Sequence, residues 1–340
     1  MPLTRRRFAQ AMASALLFRH LPGIAQTPLT FAIGRPPEGN IIRRVVSAGA
    51  PADVLLLAVA PEKLVGFSSF DFSRQAAIPF PESIRALPKL GRLAGRASTL
   101  SLEGLLALHP DLVVDCGNAD ETWLSQARQV SAQTRIPWLL INGELRQTPE
   151  QLQAAGQALG MEARTAAQAA LAQRFIAQAL AFSHTPAAGI RFYAARGARG
   201  LETGLQGSLH TEAAELLGLH NVARIPGRSG LAQVSMENLL IWQPDIILVQ
   251  DAATAHYLRH DPVWQGVKAV ADKRILFLSG LPFGWLDAPP GINRLLGLRR
   301  LHAWLDPNVN QHFKDDMVRY ARLFWHTSLT DEQYQQWAII

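Results

Sequence analysis

Apolar and polar positions follow two textures along this chain. Short continuous apolar runs at 30–33, 41–47, 64–67, 112–115 and 138–141 are bounded by Gly, Pro, Asn or Ser, as strands buried in a sheet are. Helical stretches lie between them at 52–60, 120–132 and 149–159. This alternation predicts an α/β lobe with a parallel sheet. Residues 162–182 then form an Ala-rich block with Gln, Arg and Leu and no Gly or Pro, a strong helix-former composition. At about 1.5 Å per residue it reaches about 30 Å, enough to span two lobes. A second alternating section follows. It has strands at 190–194, after Pro244 and at 275–278, a helix running through Leu217 with Ser208 or Thr211 placed to cap it, and a helix over 291–304. Helices over 309–326 and 331–337 close the chain.

One stretch occurs twice. Ser101-Leu102-Glu103-Gly104-Leu105-Leu106 leads to Pro110-Asp111, and Ser235-Met236-Glu237-Asn238-Leu239-Leu240 leads to Pro244-Asp245, at a constant offset of 134 residues. That period is too long for a solenoid and predicts two similar lobes. Each Ser is placed to cap a helix, and each Glu falls in the first turn, where the helix dipole favours negative charge. The Leu pairs are expected to mark a buried face. Each Pro ends its helix ahead of a buried strand. A recurrent αβ unit with a dipole-stabilising Glu accounts for these stretches taken alone.

The N-terminus changes the charge picture. Thr4-Arg5-Arg6-Arg7-Phe8, a weakly apolar stretch to Phe18 and Ala25-Gln26 fit a twin-arginine export segment over residues 1–25. Its four arginines, with no acid, account for the fall in formal net charge from +6 to +2 on removal, so the basic balance is weak evidence for a nucleic-acid partner. No apolar run reaches the roughly 18 residues of a membrane helix. Cys116 is the only cysteine, so an internal disulfide, a CxxC pair and a lipid anchor at the leader's end are all excluded. No GxGxxG, P-loop, HExxH or GxSxG motif supports catalysis, and no enzyme activity or cofactor is expected.

With the repeat, the spanning helix and the leader in hand, the chain resembles the class III periplasmic substrate-binding proteins of ABC importers, which take ferric siderophores, haem, cobalamin and some metals or oxyanions. The resemblance runs from about Arg43 to Trp304. It is carried by Val45-Val46-Ser47 with Pro51, the two Glu stretches, residues 204–212, Phe283-Gly284-Trp285, Asp287-Ala288-Pro289-Pro290 and Asn293-Arg294-Leu295. It implies two Rossmann-like α/β lobes with parallel central sheets, joined by one long helix, with the ligand in the cleft between them. The implied division is 26–160 for the first lobe, 161–184 for the joining helix, 185–307 for the second lobe and 308–340 for C-terminal helices. It implies a monomer in the periplasm, with Glu103 and Glu237 docking onto the importer's permease through arginine pockets.

Ligands of open α/β sheets bind outside the carboxyl ends of strands. That rule selects residues 68–72 and 116–118 in the first lobe, and Arg196, Arg199, Gln250 and 283–287 in the second. Phe70, Phe72, Phe283 and Trp285 offer flat faces to a chelate, with Asp71 beside the first two. Arg196 and Arg199 suit an anionic ligand. His210 suits an anion or a metal edge. Each has a plain alternative: a packed aromatic, a solvated turn arginine, a structural histidine. The expected cargo is an iron–siderophore or other metal complex. A molybdate- or tungstate-type oxyanion is the alternative, and a small cleft with Arg, Ser and backbone N–H donors would favour it over a wide aromatic one.

Overall fold

The computed structural model describes residues 28–75, 78, 80–94, 98–278 and 281–338; the export segment expected over 1–25 lies outside them. The first lobe's sheet has the order β1-β4-β3-β2, from β1 (Thr30–Ile33), β2 (Val45–Ser47), β3 (Leu112–Gly117) and β4 (Trp138–Asn142). All pairs are parallel except β1 with β4, so an antiparallel edge strand closes one side. The second lobe's sheet is wholly parallel. Its strands are β5 (Arg191–Ala195), β7 (His220–Asn221), β9 (Ile246–Val249) and β10 (Ile275–Phe277), in the order β10-β9-β5-β7. A small ribbon of β6 (Glu202–Gly204) and β8 (Leu231–Gln233), which the sequence does not announce, stands beside it.

Two expected strands come out differently. The run 41–47 is a strand only from Val45, because the Arg43 and Arg44 amides donate to the Asp111 carboxylate (2.7 and 2.9 Å) and not to a neighbouring strand. The run 64–67 makes only isolated bridges, from Leu64 to Val45 and from Phe67 to Lys89. Its amides switch partner within three residues, Val65 donating to Val45 and Phe67 to Pro88, so no ladder builds up.

The repeat proves to be one device built twice. Ser101 Oγ accepts from Gly104 N (3.0 Å), and Ser235 Oγ accepts from Asn238 N (3.2 Å). His109 and Gln243, at matching positions, both take the left-handed conformation that turns the chain into its Pro-Asp. Asp111 and Asp245 then each accept from the backbone where the neighbouring strand begins, at Arg43–Arg44 and at Arg191. Arg44 and Arg191 return the contact by donating to the ends of the repeat helices, at Leu108 O and Trp242 O. Only the first leucine of each pair is buried. Leu105 and Leu239 are fully enclosed, whereas Leu106 is 45% and Leu240 41% exposed, since successive residues diverge by about 100° around a helix.

Thr211 heads the helix Glu212–Leu216 without capping it. Its hydroxyl bonds Leu205 O and the Glu215 carboxylate instead, and Ser208 makes no cap either.

The long helix is Glu162–Ser183, about 33 Å in length. At one end Gln168 Nε2 donates to Ala58 O (2.7 Å) of the first lobe and to Leu323 O (2.8 Å) near the C-terminus. At the other, Arg174 meets Asp316, and Arg299 bonds both Asp316 (2.6 Å) and Gln178 (2.8 Å). The helix Phe313–Phe324 thus returns the chain to the first lobe, where His326 Nε2 holds Leu57 O and Ala58 O.

Two further joints hold the lobes together. Phe283 packs on Phe70, Phe72 and Phe80, with ring centroids 4.9, 5.7 and 6.3 Å away. The fully buried Arg294 guanidinium bonds Leu209 O (3.0 Å), Glu212 Oε2 (2.6 Å), Gly291 O (3.0 Å) and, across the cleft floor, Gly143 O. Glu212 completes the clasp by accepting from Leu145 N of the first lobe (2.8 Å).

Candidate functional site

Two adjoining chambers lie between the lobes, and Asn118, Leu209 and His210 border both. The outer one encloses about 500 Å³. Its first-lobe wall carries Asn142, the last residue of β4, with Asp120 and Glu144 just past the ends of β3 and β4; its second-lobe wall carries Ser208 and Ser229. The ribbon sets this second wall, because β6 leads into 205–210 and Gly230 O, just ahead of β8, accepts from Leu205 N. Gly207 and Gly230 both have positive φ there and open space where a side chain would sit, so backbone lines the chamber.

The inner chamber encloses about 300 Å³. Its floor is Gly49-Ala50-Pro51, the start of the helix Ala50–Val59, which no side chain caps. Uncapped first-turn amides and the helix dipole favour an anion at such a place. Arg92 lines the same chamber, and its guanidinium makes no ion pair among the described residues. Asp115 lines it too. Burial pushes its carboxyl up to about 7, against a hydrogen bond from Cys116 N (2.9 Å), so near neutral pH a proton is available there for a hydrogen bond. Burial, then Asp115, pushes the neighbouring Cys116 thiol up to about 12, so it stays protonated and unreactive. Trp123 is the aromatic on this wall.

His210 faces Arg92's chamber from the opposite lobe. Its Nδ1 bonds Asp287 (2.7 Å), whose fully buried carboxylate also takes Arg196 and Gln250 Nε2. A hydrogen on Nδ1 follows from that carboxylate partner, which leaves Nε2 for the cleft. Neutral, it offers a lone pair to a metal edge; protonated, it donates to an oxyanion.

The other residues singled out from the sequence are placed differently. Trp285 is buried, with Nε1 on Leu281 O (2.8 Å), and Phe283 is buried in the aromatic joint with the half-buried Phe70; none of the three lines either chamber. Apolar rings at the seam between lobes bury one another in preference to facing water, at about 1.5–3 kcal/mol for each fully buried side chain. Asp71 is exposed and closes a local turn on Ser73 (2.6 and 3.0 Å). Arg196 is spent on Asp287 and Glu202 (3.1 Å) and borders a separate hollow of about 310 Å³ with Gln250; Arg199 is exposed, away from both chambers. The structure adds Arg92, Asn142, Glu144 and Ser229, which no local pattern marks.

A family model described as "Periplasmic binding protein" matches residues 45–280. The chain belongs to this family. It is a class III periplasmic substrate-binding protein of the ABC-transporter type, and the family's members are transport proteins that deliver small molecules to importer permeases. The solved ABC transporter solute binding protein from Sulfurospirillum deleyianum superposes with a TM-score of 0.77 at 24% identity, covering 92% of this chain and 99% of that one. MolA of Haemophilus influenzae, bound to molybdate, superposes with a TM-score of 0.66 at 20% identity, over 87% of this chain and 96% of that one. In sequence the curated "Molybdate-binding protein MolA" is 34% identical over 73 residues, so the aligned part spans 21% of this chain and only 20% of that protein. The vitamin B12 binding protein BtuF of Vibrio cholerae shares the fold at a TM-score of 0.57 and 21% identity, over 81% and 98% of the two chains. One architecture therefore carries unlike ligands, and cleft chemistry has to choose among them.

Proposed function

We propose that this periplasmic binding protein captures a molybdate- or tungstate-type oxyanion and carries it to an ABC importer, without catalysis, as a monomer exported through its twin-arginine leader. The two lobes that grip the ligand are 26–160 and 185–307. The observation that carries the reading is the inner chamber, where Arg92 from one lobe and His210 from the other flank an uncapped helix start. Arginine suits oxyanions, and Asn118 and a protonated Asp115 add donors. The molybdate bound to MolA points the same way. A metal complex is the second reading. The outer chamber's 500 Å³ favours it, because such a ligand would fill both chambers and set its metal edge on His210 Nε2.

Titration of the chain from Gln26 onward, followed by tryptophan fluorescence, separates the two. The probes are molybdate, tungstate, sulfate, ferric siderophores, haem and cobalamin. Saturable binding of molybdate or tungstate at micromolar Kd or tighter, about −8 kcal/mol, is expected. Saturation by a chelate alone would move the conclusion to the second reading. Silence across all probes would defeat both.

Affinity for the oxyanion is also expected to fall as pH rises through about 7, where Asp115 loses its proton and becomes a like charge. The linked effect on stability has the same sign. The Asp115 pKa is raised in the fold, so its contribution is present below the ordinary carboxylate pKa and lost as pH climbs toward 7. Asp115→Asn should flatten the pH dependence of binding; an unchanged slope would remove Asp115 from the site.

A further inference from the structure

We propose that each lobe docks on the permease through a paired contact, a carboxylate and an exposed leucine one helical turn further on, so that docking has an apolar component as well as an ionic one. The inference rests on the importer reading above and on Glu103 and Glu237 facing the permease.

Glu103 and Leu106 lie three residues apart on the helix Leu102–Ala107, as Glu237 and Leu240 do on Met236–Trp242, so each pair shares a face. Burial class agrees between the copies at eight successive positions, from Ser101 to Leu108 and from Ser235 to Trp242. Both glutamates are exposed, and neither makes an ion pair among the described residues. Among those residues the exposed large apolar side chains are Ile41, Leu106, Leu240, Ile241 and Val263. Three of the five stand on these two helices, with Ile241 78% exposed. The same acid-plus-leucine pair recurs at a fixed offset of 134 residues.

Both helices are also held rigidly. The Arg44 and Asp111 contacts fix one, and the Arg191 and Asp245 contacts fix the other. Two stiff posts of like chemistry on two lobes match a partner with two like halves, each offering a cation beside an apolar hollow. A permease dimer has that form. The apolar pairs would set the dissociation rate, while the carboxylates would steer the approach and weaken with salt.

The test compares two variants of the full chain for binding to its purified importer complex, at low and high salt. L106S/L240S/I241S should fold and bind ligand as the parent does, yet dock about ten- to a hundredfold more weakly at both salt concentrations. E103A/E237A should lose docking mainly at low salt. If the leucine variant docks as the parent does while the glutamate variant fails, the apolar contact is overturned and the docking reading stands. If the glutamate variant docks unchanged, the docking reading itself fails. Sedimentation of the parent chain covers the remaining occupant: self-association that the leucine variant abolishes, with importer binding unaltered, would assign the patch to a second copy of the chain and overturn the proposal.

Discussion

Replacing Arg294 by alanine is expected to destabilise the fold by about 3–5 kcal/mol, the usual cost of removing one partner from a buried charge pair. The guanidinium is 2% exposed and supplies four protein contacts, among them Gly143 O on one lobe and Leu209 O and Glu212 on the other. Its loss leaves the Glu212 carboxylate facing Leu145 N with no counter-charge and strands the carbonyls around it. The change should appear as a lowered urea midpoint, and in scattering as a wider spread of lobe orientations. A shift below about 1 kcal/mol with unaltered scattering would show that the aromatic joint and the long helix hold the lobes unaided.

Arg92→Ala is expected to weaken oxyanion binding by about 2–5 kcal/mol, a factor of roughly thirty to several thousand, while leaving the fold intact. The side chain is exposed and makes no ion pair among the described residues, so little folding energy depends on it. It lines the inner chamber. Arg92→Lys should recover only part of the loss, since an ammonium cannot form the guanidinium's paired hydrogen bonds. Calorimetric titration of the three proteins decides it. Affinities within twofold of one another would take Arg92 out of the site.

How much of this was legible in the sequence depended on whether the signal was local. The serine caps of the repeat were legible, because each acts within three residues, whereas the Asp111 and Asp245 bonds reach Arg43, Arg44 and Arg191 more than fifty residues away. The long helix was legible from composition alone. Phe283 and Trp285 are buried, and a ring that seals the seam between lobes and a ring that stacks on a ligand look alike in one dimension. Phe283 differs from a cleft residue only through Phe70, Phe72 and Phe80, some two hundred residues earlier. Arg196 is bonded by Asp287 from 91 residues away, a partner that no local pattern marks. Arg92 carries no local mark at all, since it sits in a loop whose position is set by the Ala48 carbonyl accepting from Leu93 and Ala94.

The joints also bear on how the protein works. The long helix, the returning C-terminal helix, the phenylalanine cluster and the Arg294 clasp all tie one lobe to the other. On the docking proposed above, a cleft so held would report its ligand through small shifts of the two repeat helices.

The oxyanion site is tested most directly by anomalous diffraction at the tungsten edge from crystals of the chain from Gln26 onward grown with tungstate. The account predicts one strong peak in the inner chamber, within hydrogen-bonding reach of Arg92 and His210 and over the start of the helix at Ala50. A peak confined to the outer chamber beside Asp120 and Glu144, or no ordered tungsten at saturating tungstate, would contradict it.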